Sequence, residues 1–330
     1  MLRDNHALQV DGSLKGDPAA GDGSLSSAAD ADLIRNRTRP DGMILPLAAQ
    51  CCNHRSKHAS APHIAGVSPG RVCRPAAAEA SLQLKVELTR HGSPMRLLVG
   101  TSGFAYKEWK PSFYPPDLPA AQMLRYYSER FPAVEINNTF YRMPSEAVLR
   151  DWVSQVPDTF AFALKAPQQI THRKRLKEVS EPAGDFFRIA GALGRQLAPA
   201  FMQLPPNLKK DIARLESFLG IVPEGVRVAF EFRNPTWFDE EVYSALRDAN
   251  AALCIAHGEE VNTPFVATAD WGYVRLRQVV YEAAELEKWA DDVRNQSWSD
   301  AYVFFKHEDT GTGPVLAQNF RALFDGGGGA

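Results

Sequence analysis

Residues 133–165 read AVEINNTFYRMPSEAVLRDWVSQVPDTFAFALK. Two short apolar runs, 133–137 and 160–165, flank a stretch at 147–155 whose apolar residues recur three and four apart. That spacing is one face of a helix, and Ser145 before Glu146 supplies a cap for it. Runs as short and apolar as the two flanking ones suit parallel strands covered on both faces. The segment therefore reads strand, helix, strand.

The same alternation extends in both directions. Strands are expected at 96–100, 133–137, 160–165, 200–204, 226–232, 252–256, 272–276 and 301–305. Helices are expected at 123–130, 147–155, 186–196, 212–219, 241–248, 286–294 and 316–324, with Asp239 capping the fifth. Only the link 258–271 lacks a good helical pattern. Eight strand–helix repeats in this length predict an α/β fold of the (β/α)8 TIM-barrel type. A doubly wound open sheet would carry a glycine-rich phosphate loop after its first strand. GTSGFAY, at 100–106, does not fit that pattern.

Composition divides the chain. No aromatic residue precedes Phe104, although aromatics make up 10% of the 330 residues. Without large apolar side chains, a segment rich in Ala, Gly, Ser, Pro and Arg cannot offset the entropy of ordering. Residues 1–94 are expected to be a disordered or non-native extension, 95–325 the barrel, and 326–330 a flexible glycine-rich tail. Met95 opens MRLLVGTSG one step before the first strand and is read as the true start, with a targeting or regulatory extension as the alternative. MLRDNHALQVDGSL has no basic region followed by an apolar core, which argues against a signal peptide.

The charge balance, 37 basic against 39 acidic residues, argues against a nucleic-acid surface. The basic run Arg173, Lys174, Arg175 and Lys177 is read as a solvated loop. No apolar run is long enough for a membrane-spanning helix. Cys254 is the single cysteine of the barrel segment, compatible with a reducing cytoplasm. Cys51, Cys52, His54 and His58 match no zinc spacing. No motif asks for a cofactor or metal. The expected partner is a small-molecule ligand, and the oligomeric state is not legible.

A barrel of this type works at the carboxyl ends of its strands. Polar residues collect there: Ser102, Glu135, Asn137, Lys165, Gln203, Glu231, Arg233, Arg275, Arg277, Lys306 and His307. Side chains alternate between faces along a strand. Glu135 and Asn137 share a face with Ala133, Lys165 with Ala161 and Ala163, and Glu231 and Arg233 with Ala229. Small residues inward and large ones outward place these charges at the mouth of the lumen.

The motifs GTSGFAYKEW, FYPPDLP, VEINNTFYRMP, LKAPQQITH with KRL, FMQLPPNLKKD, AFEFRNPTWF, WGYVRLR and FFKHED, in this order, resemble the YecE-like family, also called domain of unknown function 72. The resemblance covers about residues 96–325 and implies a (β/α)8 barrel without an established activity. It points to Ser102, Tyr106, Trp109, Glu135, Asn137, Tyr141, Lys165, His172, Gln203, Glu231, Arg233, Trp237 and Arg275. The chain departs from the usual pattern at His257, at Asn234 and after Arg275, where RLRQVVY lacks a His-Gly pair.

Three chemistries fit these residue types. The first is hydrolysis of a glycosidic or similar bond by the pair Glu135 and Glu231. Lys165 would keep one carboxylate ionised, and Trp109, Tyr141 and Trp237 would offer stacking faces. The alternative is a binding or transfer site for a phosphate- or carboxylate-bearing molecule, gripped by Lys165, Arg233, Arg275 and Lys306, or else a charge network without chemistry. The third is a metal site of Glu135, Glu231 and His257, which basic neighbours oppose. His172 could donate a proton or merely fix its loop.

Overall fold

The computed structural model describes residues 95–258, 261–306 and 311–325. The expected extension (1–94), the glycine-rich tail (326–330) and His307 lie outside the described residues. Strand β1 (Arg96–Ser102), helix α1 (Met123–Ser128), β2 (Ala133–Ile136), α2 (Glu146–Gln155) and β3 (Ala161–Lys165) form the first part of the fold. Then follow α3 (Ser180–Ala190), β4 (Leu197–Gln203), α4 (Ile212–Leu219), β5 (Val228–Glu231), α5 (Glu240–Asp248) and β6 (Ala252–Gly258). The chain continues through a two-residue strand β7 (Val261–Asn262), β8 (Gly272–Leu276), α6 (Ala283–Arg294), β9 (Asp300–Phe305) and α7 (Thr312–Asp325).

Eight of these strands are parallel and close on themselves in the order β1, β2, β3, β4, β5, β6, β8, β9 and back to β1. This is the expected barrel. The short β7 pairs antiparallel with the end of β6, His257 opposite Asn262, in the link where no helix was expected. Among the described residues no helix is long and apolar enough to cross a membrane.

The caps act as the sequence suggested. Ser145 accepts from Val148 N and Asp239 from Glu241 N, each satisfying a donor that the first helical turn leaves open. Helix α3 begins six residues before the expected 186, because Pro182 sits in the first turn, where no intrahelical donor is needed. It also ends at Ala190, and a tighter turn with Gly194 at φ +56° leads into β4.

The outward faces pack under the helices. Inward, the lumen is filled by Ala133, Ala161, Ala163, Ala229, Ala252 and Ala256 facing Phe201, Trp271, Tyr273, Tyr302 and Phe304. The expectation of small inward residues thus holds for β2, β3, β5 and β6. Strands β4, β8 and β9 send large rings into the space that these alanines leave, as dense packing requires. Phe201 and Tyr273 stack with centroids 5.4 Å apart.

One extra residue in β4 decides which of its side chains enter. Phe162 pairs with Leu197 but Leu164 with Ala200, a bulge that inverts the alternation. Ala198 and Phe201 therefore both line the lumen, while Ala200 and Met202 join the outer core. Gln203 follows Phe201 on the inward face.

At the opposite, amino-terminal end, Asp300 accepts from Arg96 Nε and Arg227 Nη1, each at 2.6 Å. Burial would raise the Asp300 carboxyl, but these two arginines hold it below its usual value. This pairing closes the bottom of the barrel.

Candidate functional site

Barrel register brings the polar strand ends to one level. Ser102 lies opposite Glu135, Gln203 opposite Glu231, and Ala256 opposite Arg275. Since each side chain faces the lumen, residues far apart in sequence meet at its carboxyl end.

The inner layer centres on Arg275, which is 2% exposed. Its Nη2 donates to Glu135 Oε1 at 3.0 Å, its Nε stands 2.9 Å from Glu135 Oε2, and its Nη1 donates to Glu231 Oε2 at 2.5 Å. One guanidinium therefore straps both carboxylates. Its flat face lies 4.4 Å from the centre of the Phe201 ring. Glu135 also accepts from Ser102 Oγ (2.7 Å), Asn137 Nδ2 (3.0 Å) and Tyr273 Oη (2.7 Å). Glu231 also accepts from Gln203 Nε2 (2.6 Å) and Arg233 Nε (3.0 Å), with Cys254 Sγ at 4.0 Å.

Both carboxylates are fully buried. Burial alone would raise their pKa values. For Glu135 the Arg275 charge and the bonds from Ser102, Tyr273 and Arg275 outweigh it and hold the group below its usual range. For Glu231 the charges of Arg275, Arg233 and Arg277 do the same. The same negative environment, after burial, pushes the Cys254 thiol and the Tyr273 phenol up.

The outer layer is cationic and partly open. Lys165, half-buried, donates from Nζ to Gln203 Oε1 at 2.9 Å and stands 4.3 Å from the centre of the Phe140 ring. Among the described residues it makes no ion pair with a carboxylate, because Arg275 and Arg233 have taken both. Burial and then the Arg275 charge bring its pKa down to about 7, against the opposing pull of Glu231 and Glu135. Arg233 keeps 20% of its side chain exposed. Arg277 is half-buried above Arg275, and burial followed by the Arg275 charge lowers its pKa. His172 also meets Phe140 at right angles, ring centres 4.8 Å apart, with Nδ1 3.0 Å from Thr171 Oγ1. Burial, then the charges of Lys165 and Arg233, push its pKa down to about 4, so its ring is neutral at pH 7.

The loop bearing His172 is unusual. A wide five-residue turn, Gln169–Arg173, is followed by Arg175, Leu176 and Glu178 at positive φ (53°, 64° and 50°). Such conformations in residues with side chains cost energy and need support from their surroundings. Leu176, 3% exposed, anchors the loop in the core.

The remaining expected site residues fall outside the centre. Tyr106 donates to Ser102 O at 2.8 Å and steadies the turn after β1. Trp109, 1% exposed, packs among Tyr106, Phe113 and Tyr114. Trp237 is fully buried, stacked 4.7 Å from Phe232, and donates to Leu208 O at 2.7 Å. Neither tryptophan offers a face to a sugar, which corrects that expectation: both rings are used to pack loops on the barrel. Tyr141 is 75% exposed.

Arg275 is corrected as well. It is no hand for an incoming anion, since its donors face the two glutamates. The glutamates are engaged as well: Arg275 bonds both, and its charge favours the carboxylate form of each rather than the acid a glycosidase pair needs. His257 does not join them in a metal site: Nδ1 lies 3.2 Å from Tyr281 Oη and Nε2 3.3 Å from Gln278 Nε2. Tyr273 and Phe140 were missed as functional candidates, whereas Arg277 was expected at the mouth and is found there. Alternation marks Tyr273, since it lies two residues from Arg275 on the same face.

Beside the mouth, a groove of about 380 Å³ runs past Phe140, Tyr141, Met143, Pro167, Gln168 and Arg173. Phe140 forms its boundary with Lys165. A larger recess of about 530 Å³ lies by α1 and α2, lined by Gln122, Arg125, Asp151 and Gln155, and holds none of the network.

The family described as "Protein of unknown function DUF72" matches residues 98–328. The UPF0759 protein YunF of Bacillus subtilis (strain 168) is 30% identical over 159 residues, covering 44% of this chain and 54% of that protein. The chain thus aligns with about half the length of this relative. A crystal structure of the DUF72 family protein TM1631 from Thermotoga maritima MSB8 is similar at 27% identity, 70% of this chain, 99% of that one and TM-score 0.64. A structure of EF0366 from Enterococcus faecalis V583, also a DUF72 family protein, shares the fold at 17% identity, 69% and 95% coverage and TM-score 0.60.

Proposed function

The chain belongs to the DUF72 family, whose function is unknown, and on that premise we propose that it binds a small anionic molecule, bearing a carboxylate or phosphate, at the carboxyl end of its barrel. The observation that carries this reading is a charge excess among the described residues. Around the two buried carboxylates stand three guanidinium groups, Arg275, Arg233 and Arg277, with Lys165 beside them. Arg275 is used up in strapping the glutamates. Arg233, which also pairs with Glu231, and Arg277 lie nearer solvent, and their field favours an anion.

The inner strap serves as scaffold in this reading. It sets the height of Gln203 and Arg233 through Glu231, and of Asn137 through Glu135. Glutamate-pair hydrolysis finds no comparable support, because neither carboxylate is exposed or protonated.

The test is titration of the purified full chain with inorganic phosphate and with malonate, followed by calorimetry at low and high salt. Binding that weakens with salt and falls about tenfold in Arg277→Gln, a loss of about 1.4 kcal/mol, supports the reading. Absence of binding, or equal binding by wild type and variant, overturns it.

A further inference from the structure

We propose that Lys165 is a nucleophilic amine that condenses with the carbonyl carbon of an anionic 2-oxo compound, whose acid group is held by Arg233 and Arg277. This rests on the anion-binding reading above and names its ligand class.

The geometry at Nζ carries the proposal. Lys165 ends β3 on the inward face, above the sealed strap and below solvent. Among the described residues its one hydrogen bond goes to an amide oxygen, Gln203 Oε1. Gln203 cannot turn round, because its Nε2 is committed to Glu231 at 2.6 Å. An amide oxygen positions an amine by accepting from N–H, and does not demand the ammonium form as a carboxylate would. The Phe140 ring shields one side of Nζ. Among the described residues, the titratable groups facing Nζ are Arg275, Arg233, Glu231, Glu135 and His172, and the two acids are already neutralised by arginine. Burial and nearby cations are the two conditions that activate a lysine. With its pKa brought down to about 7, a large fraction of Lys165 carries a free lone pair at neutral pH.

The chemistry balances without further reagents. The Nζ lone pair attacks the carbonyl carbon, and a C–N bond forms as the carbonyl π electrons move to oxygen. A proton from nitrogen passes to that oxygen, giving a carbinolamine. Loss of the hydroxyl with the second nitrogen proton releases water and leaves a C=N bond. The Arg233 and Arg277 guanidiniums balance the acid group of the ligand.

The experiment uses the unaltered full chain with pyruvate and sodium cyanoborohydride, which reduces the imine to a stable secondary amine, and maps the product by peptide mass. The expected result is labelling of Lys165 on the order of tenfold or more above any surface lysine, with a rate that rises through about pH 7. Acetone, which has the carbonyl without the acid, should label Lys165 at least about tenfold less at equal concentration. In Lys165→Arg no remaining lysine should label above the surface level. Labelling spread evenly over the lysines, or absent from Lys165, overturns the nucleophile. The phosphate titration then judges the anion site separately. Equal labelling by acetone and pyruvate overturns the anionic ligand class.

Discussion

Arg275 and Glu135, 140 residues apart in the chain, meet side by side inside the barrel: Nη2 donates to Oε1 at 3.0 Å and Nε stands 2.9 Å from Oε2. The same guanidinium reaches Glu231 on the other side. A buried charge survives only with such partners, so this contact joins β2, β5 and β8 at the level where the lumen opens.

Arg275→Met should therefore destabilise the protein by about 3–5 kcal/mol, since it strands two carboxylates without compensation. Urea unfolding measures it. Adding Glu135→Gln and Glu231→Gln to the same variant should recover part of the loss. If the triple variant is less stable than Arg275→Met, the strap is not the cause.

Tyr273→Phe keeps the ring stacked on Phe201 and removes only the hydroxyl on Glu135 Oε2. The expected cost is about 1–3 kcal/mol, read from the shift in the urea midpoint. A midpoint equal to wild type would show that the phenol adds nothing to the carboxylate.

Glu135 and Glu231 both have folded pKa values below their unfolded ones. Their contribution is complete above about pH 4.3, the ordinary glutamate value, and is lost as pH falls towards the folded values. Stability should drop between about pH 5 and pH 3, and less steeply in Glu135→Gln. Parallel curves for variant and wild type would contradict the assignment.

Lys165 titrates the other way. Its pKa falls to about 7 on folding, against about 10.4 in the unfolded chain, so the unfolded state holds the extra proton between those values. Stability should rise with pH across that window, and Lys165→Met should flatten the rise. A wild-type curve as flat as that of the variant would show that Lys165 stays an ammonium ion.

Gly100→Ala probes the strand itself. A Cβ there would stand 1.9 Å from Ala133 O and 3.0 Å from Tyr127 Oη, the hydroxyl that accepts from Thr101 N. The clash is with backbone, so β1 and β2 must separate, at a cost of about 3 kcal/mol. Soluble expression with an unchanged urea midpoint would refute this.

How much of this was legible beforehand differs by level. The order of strands and helices, the caps at Ser145 and Asp239, and the strand ends carrying Glu135, Lys165, Glu231 and Arg275 could be read from residues 95–325. Periods of two and of about 3.6 residues are local properties, visible in a few neighbouring positions. Closure of the ring then followed from the number of repeats.

Only the tertiary structure decided who pairs with whom. That Arg275 serves both glutamates, that Lys165 is left with an amide oxygen, and that Trp109 and Trp237 are buried all depend on which side chain stands across the lumen or under a loop. The bulge between β3 and β4 shows why: one inserted residue sends Phe201 and Gln203 inward, and nothing in the local alternation marks it. Charge and polarity are written along the chain, whereas desolvation and pairing arise between segments that the folded barrel alone brings within a few ångströms.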